Sequence, residues 1–166
     1  YRLTLGQKEL FGTIDDEITH VTLYMQLQNM RYNHCADFIA DIPPELGSLT
    51  IPKLTFQPIV ENALLHGILM KEEKKGCILL TGWREGEDAV LVISDDGAGI
   101  APEKLDTLLD SLSADNGLTS LRHIGVSNTN LRLKSLYGDA YGLSFTSTPG
   151  QGTEVTVRIP ARPVSL

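Results

Sequence analysis

The sequence predicts an α+β fold with helices layered on one face of a mixed sheet. Three observations carry that prediction. The closing stretch "TEVTVRIP" alternates, with Val155, Val157 and Ile159 on one side and Glu154, Thr156 and Arg158 on the other. Such a strand has one covered face and one wetter face. Two pairs of strand-like runs are each joined by a short turn-forming stretch. Helical segments then separate the strands unevenly, not in a strict strand-helix-strand repeat. The 166 residues fit one domain, and a 42% hydrophobic share is enough to fill its core.

The elements follow in chain order. Residues 15–33 read as a helix, with Asp15 and Asp16 where the helix dipole favours acids. Val21, Tyr24, Met25, Leu27 and Gln28 give it a partial apolar stripe. Residues 35–42 read as a short strand ended by Pro43-Pro44. A second helix is expected from about Pro52 to Ile68, with Pro58 forcing a kink or a late start. Residues 77–83 and 89–94 read as strands, joined through "EGED" as a hairpin. Residues 101–112 read as a short helix with Pro102 in its first turn. The polar, glycine-punctuated stretch after it reads as a mobile loop. Residues 127–138 read as a helix, with Ser127 or Asn128 as N-cap and Gly138 as stop. The stretch "YGLSFTSTPGQGTEVTVRIP" closes the domain as a hairpin.

Composition excludes several classes. A net charge of −7 and an isoelectric point near 5.0 argue against nonspecific nucleic-acid binding. Cys35 and Cys77 are far apart and form no CxxC pair, which argues against a zinc site or disulfide framework and for a reducing compartment. No apolar run approaches the roughly 20 residues that span a membrane, and no signal peptide is visible. The first residue is Tyr1, so a fragment of a longer chain is expected.

Four short stretches carry chemistry. In "IVENALLHGI" an apolar helix holds Glu61, Asn62 and His66, and the i, i+4 spacing of Asn62 and His66 puts both on one side. The Asn62 amide oxygen suits a hard cation such as Mg²⁺. A hydrogen-bonded core asparagine is the plain alternative. In "DDGAG" Asp95 ends a strand, where a carboxylate can accept from an amine, and Gly97 and Gly99 let a ligand approach the backbone. An ordinary strand-to-helix turn uses the same residues. Gly125 precedes a helix N-terminus, a place for phosphate oxygens or simply a capped helix. Gly150 and Gly152 before Thr153 fit a ligand edge or a hairpin turn.

The order of these four stretches resembles the ATP-binding domain shared by gyrase, the heat-shock chaperone family, histidine kinases and MutL. "IPKLTFQPIVENALLHGI" resembles the N-box of the LytS/YesM-like sensor histidine kinases. "YMQLQNMRYN" is similar to the preceding helix in that branch, and "LRLKSLYGDAYGLSFTSTPGQGTEVTVRIP" to its C-terminal end. The resemblance implies a two-layer α/β sandwich with a mixed, mostly antiparallel sheet, the Bergerat-type ATP-binding fold. It implies ATP and Mg²⁺ as ligands, with Asn62 bridging metal and phosphates and Asp95 holding the adenine amino group. Glu61 and His66 would stand with Asn62 at the reacting end. Gly97 and Gly99 would let the nucleotide lie close, residues 112–126 would form the ATP lid, and Gly125 with Asn128 would border the phosphates. Gly150, Gly152 and Thr153 would support the adenine side. Residues 1–34 would lead from a dimerising, phosphoacceptor region, and 35–166 would be the catalytic domain.

The pattern departs in two places. A basic residue usually precedes the N-box histidine, and here Leu65 stands there; a glycine is usual where His123 stands. Arg122, His123, Arg132 or Lys134 are the candidates to replace the lost charge. Gyrase-type ATPases carry a glutamate one turn before the asparagine, where this chain has Pro58, which favours transfer to a histidine over hydrolysis. The acceptor in this branch lies in a Pro-His-Phe motif. His20, His34, His66 and His123 match no such setting, and His20 reads as a surface residue. The expected protein is therefore the cytoplasmic catalytic domain of a membrane-anchored bacterial sensor, homodimeric when whole, signalling to a response regulator and binding no nucleic acid. The alternatives are a degenerate nucleotide-binding module and a stand-alone ATPase.

Overall fold

A computed structural model describes residues 9–113 and 124–162. Its centre is a five-stranded sheet in the order β2-β4-β5-β7-β6: Ala36–Asp41, Gly76–Glu85, Asp88–Asp95, Gly152–Pro160 and Gly142–Thr148. β2 pairs with β4 in parallel, and the other three pairings are antiparallel. The covered face carries Ile78, Leu80, Leu91, Ile93, Phe145, Val155, Val157 and Ile159, all buried. The alternation read in the last strand thus fills the core with one side only.

The covering layer holds α1 (Ile14–Arg31), α3 (Phe56–Leu65), α4 (Pro102–Ser113) and α5 (Ile124–Tyr137). A one-turn helix, α2 (Pro44–Gly47), and a short two-stranded sheet of β1 (Phe11–Thr13) with β3 (Thr50–Pro52) tie the N-terminal part down. α1 begins with a capping box: Thr13 accepts from the Asp16 amide, and the Asp16 carboxylate accepts from the Thr13 amide. Its buried stripe is Ile14, Glu17, Val21 and Met25. Leu27, expected on that stripe, is exposed, because the turn of the helix carries it past the core edge.

The N-box helix starts late, as Pro58 demanded. Pro58 is the third residue of α3, where a missing amide hydrogen breaks no intrahelical bond. Pro52 instead ends β3, a pairing too short for its own sequence pattern to reveal. The last helix departs more. It starts at Ile124, not at 127, so Gly125 lies inside its first turn and Ser127 and Asn128 are not caps. Ser127 is buried, while Asn128 is exposed. Of the expected lid, residues 112–113 end α4 and 124–126 begin α5, and the stretch between lies outside the described residues. Among the described residues no helix is long and apolar enough to cross a membrane.

Candidate functional site

The site forms where α3 crosses the ends of β5 and β7. Asp95 is the last residue of β5 and pairs in register with Thr153 of β7. Its Oδ1 accepts from the Gly97 amide at 2.8 Å. Burial pushes its carboxyl from the ordinary 3.8 up to about 6, against the Gly97 and Thr153 backbone bonds that favour the ionised form; neighbouring Asp96 adds to the rise. Ile59, Ala63 and Gly67 from the helix side, with Ile93, Ile100 and Val155, wall a narrow pocket of about 30 Å³ around it. A single carboxylate in an apolar slot is a specific recognition element, since any amine brought to it also leaves water.

Asn62 and His66 border that pocket and also a wider cleft of about 240 Å³. Pro58, Glu61, Leu65, Gly125 and Val126 complete the cleft. Glu61 and Asn62 are adjacent on the helix, so their side chains leave it about a hundred degrees apart. Both border the cleft, because a hundred-degree offset still falls within an opening this wide. The Asn62 side-chain oxygen is buried and has no hydrogen-bond partner among the described residues. A buried amide oxygen without a donor costs free energy, so it is poised for one. A hard cation carrying its own waters fits that oxygen. His66 caps α3, its amide donating to the Asn62 carbonyl at 3.0 Å.

The glycines act differently from expectation. A Cβ on Gly97 would stand 2.3 Å from the Gly67 carbonyl carbon, and one on Gly99 2.2 Å from the Thr148 oxygen. Those directions point into the protein, so the missing side chains let backbone segments meet instead of making room for a ligand. Gly152 likewise sits under the Asp95 carbonyl, 1.9 Å from where its Cβ would be, at φ +129°. Gly150 joins the same corner through its amide, which donates to the Ala98 carbonyl at 2.7 Å. Thr153 lines the pocket beside Asp95. Gly67 is a further pocket residue: a Cβ there would stand 2.9 Å from Asp95 Oδ1. Its spacing from Asp95 gave no signal, because the contact joins two elements.

Of the candidate replacement cations, Arg132 and Lys134 do not border the cleft. Arg132 donates from Nη2 to the Leu54 carbonyl at 3.1 Å, and Lys134 donates to the Asp139 and Tyr141 carbonyls at 2.9 and 2.8 Å. Both are taken up in holding α5 to its neighbours. Arg122 and His123 lie outside the described residues. Leu65, partly exposed, occupies the cleft position where charge was expected. Asn128, expected at the phosphates, borders neither pocket nor cleft. Among the described residues no group of three or more His, Cys, Asp or Glu is arranged to hold a metal ion.

The geometry therefore offers a slot with one carboxylate acceptor, continuous through Asn62 and His66 with a polar cleft. Comparison with known proteins gives the family and the fold. Residues 50–163 match the family model described as histidine kinase-, DNA gyrase B-, and HSP90-like ATPase. The chain is 31% identical over 162 residues to the sensor histidine kinase BtsS of Escherichia coli strain K12, covering 98% of this chain and 26% of that protein. It is 34% identical over 154 residues to the sensor protein LytS of Streptococcus mutans, covering 89% of this chain and 24% of that protein. The chain thus spans about a quarter of the length of these curated relatives. Among solved structures it is similar to the catalytic domain of the histidine kinase ThkA, at TM-score 0.67 and 14% identity, covering 92% of this chain and 97% of that one. The two-layer sandwich with helices on one face is the shared fold.

Proposed function

Because the chain belongs to the histidine kinase-, DNA gyrase B- and HSP90-like ATPase family, we propose that it is the ATP-binding catalytic domain of a sensor histidine kinase. The observation that carries the reading is the pairing of half-buried Asp95 with the Asn62 amide oxygen, partnerless among the described residues, along one continuous opening. Asp95 accepts from the adenine amino group, with Ile59, Ala63 and Ile93 against the ring. A pocket of about 30 Å³ holds little more than a water, so its walls part when a base enters. Asn62 would hold Mg²⁺, which would supply positive charge to screen the phosphates. Glu61 and His66 face the reacting end, and Gly125 in the first turn of α5 brings backbone near the phosphates.

The γ-phosphoryl group passes to a histidine outside residues 1–166, in helices that residues 1–34 lead from. The whole protein is a homodimer, anchored in the membrane, and hands the phosphoryl group to a response regulator. The relatives' printed names, sensor histidine kinase and sensor protein, support the transfer, and their lengths, about four times this chain, leave room for the acceptor helices. Pro58 supports transfer over hydrolysis, since a proline cannot act as base one turn before Asn62. The absence of lysine and arginine among the described residues lining the cleft supports a second reading, a nucleotide-binding module without transfer.

Labelled ATP separates them. The chain alone should bind ATP and take no label, and should label a histidine when the upstream helices are supplied. Acid-labile label on the chain by itself would overturn the assignment of the acceptor. No label on any segment, with binding intact, would favour the non-transferring module. Release of inorganic phosphate by the chain alone would favour the ATPase.

A further inference from the structure

Beside their apolar packing, polar contacts join α1 to the start of α3 over three consecutive turns. Glu17 is buried and its Oε1 accepts from the Thr55 amide at 2.9 Å, just before α3 begins. One turn on, His20 Nε2 hydrogen-bonds Gln57 Oε1. One turn further, Tyr24 comes close enough for Glu61 to help hold its hydroxyl up at about 12, second to burial. Gln57 links the middle of this seam to its end, its Nε2 donating to Glu61 Oε1 at 3.1 Å. Apolar packing alone needs none of these bonds.

The chain of bonds has a direction. Gln57 gives its amide hydrogens to Glu61, so it turns its oxygen to His20, and His20 Nε2 carries the proton that it donates. Each group fixes the orientation of the next. The last one, Glu61, uses Oε1 for this bond and borders the cleft beside Asn62. His20 is exposed, and its own packing does little for the fold.

We propose that His20 and Gln57 are positioning residues for Glu61, which accepts the N–H or O–H of the group that attacks the γ-phosphate. The inference rests on the reading of the cleft as the phosphate end. Without His20, Gln57 is free to flip and present its oxygen to Glu61, which turns an attraction into a repulsion. A carboxylate displaced by an ångström loses rate by one to two orders of magnitude, while the adenine and metal contacts stay as they were.

The test is made in the full-length protein, comparing wild type with His20→Leu, Gln57→Leu and His20→Gln. Loss of γ-phosphate from labelled ATP gives kcat and KM, and a non-hydrolysable ATP analogue with Mg²⁺ gives affinity. Both leucine variants should lose about tenfold or more in kcat, with KM and analogue affinity within about threefold of wild type. Glutamine at position 20 keeps a donor for Gln57 and should recover most of the rate. A His20→Leu protein with wild-type kcat would overturn the proposal alone. So would a loss of kcat accompanied by an equal loss of analogue affinity and no recovery by glutamine, since that pattern marks a purely structural seam. A wild-type protein that holds no analogue, or holds it and never loses γ-phosphate, would sink the proposed function and this inference together.

Discussion

Replacing Asp95 by asparagine should make the empty protein more stable at neutral pH while removing its nucleotide. The carboxyl is raised from 3.8 to about 6, chiefly by burial. The folded state therefore holds the proton more tightly than the unfolded chain does. Stability is highest below the ordinary value, falls as pH climbs from about 4 through about 6, and stays lowered above that. About two pH units correspond to roughly 3 kcal/mol at neutral pH. Asparagine carries no charge and escapes that cost. It has one acceptor oxygen for the Gly97 and Thr153 amides, so it gives up one backbone bond, worth about 1 kcal/mol. The balance is a gain of about 2 kcal/mol at pH 7.5, or roughly 4–8 °C in melting temperature for a chain of this size. At pH 4 Asp95 is itself neutral in the folded protein, and the two proteins should differ by less than about 1 kcal/mol. Denaturant unfolding of both proteins at the two pH values measures the difference, and titration with an ATP analogue should show about tenfold or greater loss of affinity. A variant less stable than wild type at pH 7.5, or a difference that ignores pH, would refute the burial argument. Retained affinity would refute the adenine assignment.

Three further outcomes are expected. Affinity of the wild type for an ATP analogue should weaken about tenfold between pH 7 and pH 5, because an adenine amino group needs the ionised Asp95; Asp95→Asn serves as the control that removes this component. Asn62→Ala should lose Mg²⁺-dependent analogue binding while its unfolding free energy stays within about 1 kcal/mol, since the oxygen removed has no partner in the empty fold; equal losses with and without Mg²⁺ would mean a structural asparagine. Leu65→Lys should tighten analogue binding about threefold to fivefold by restoring a cation to the cleft, an effect that calorimetry should see shrink as salt is added; no gain at low salt would place the phosphates elsewhere.

Much of the site was legible because its signals are local. Asp95 at a strand end, Asn62 and His66 one turn apart, and the late start forced by Pro58 each depend on neighbours within a few residues. The strand alternation is equally local, and it settled which face of the sheet is covered. The start of α5 was misjudged by three residues because Ser127 looks like a cap in sequence, yet it is buried inside the helix. The β1–β3 pairing is three residues long and had no pattern of its own. Gly97 and Gly99 stand out in the sequence as room for a ligand; only the approach of Gly67 and Thr148 shows what their missing side chains admit. The same holds for His20, a plain exposed helical histidine until α1 is laid across α3. By itself, then, the sequence determined the longer elements, the covered face and the identity of the chemical groups. The tertiary structure decided which groups share a pocket, which cations are spent elsewhere and how high burial lifts Asp95. Those depend on distances between residues far apart in the chain, and no pattern along the chain encodes them.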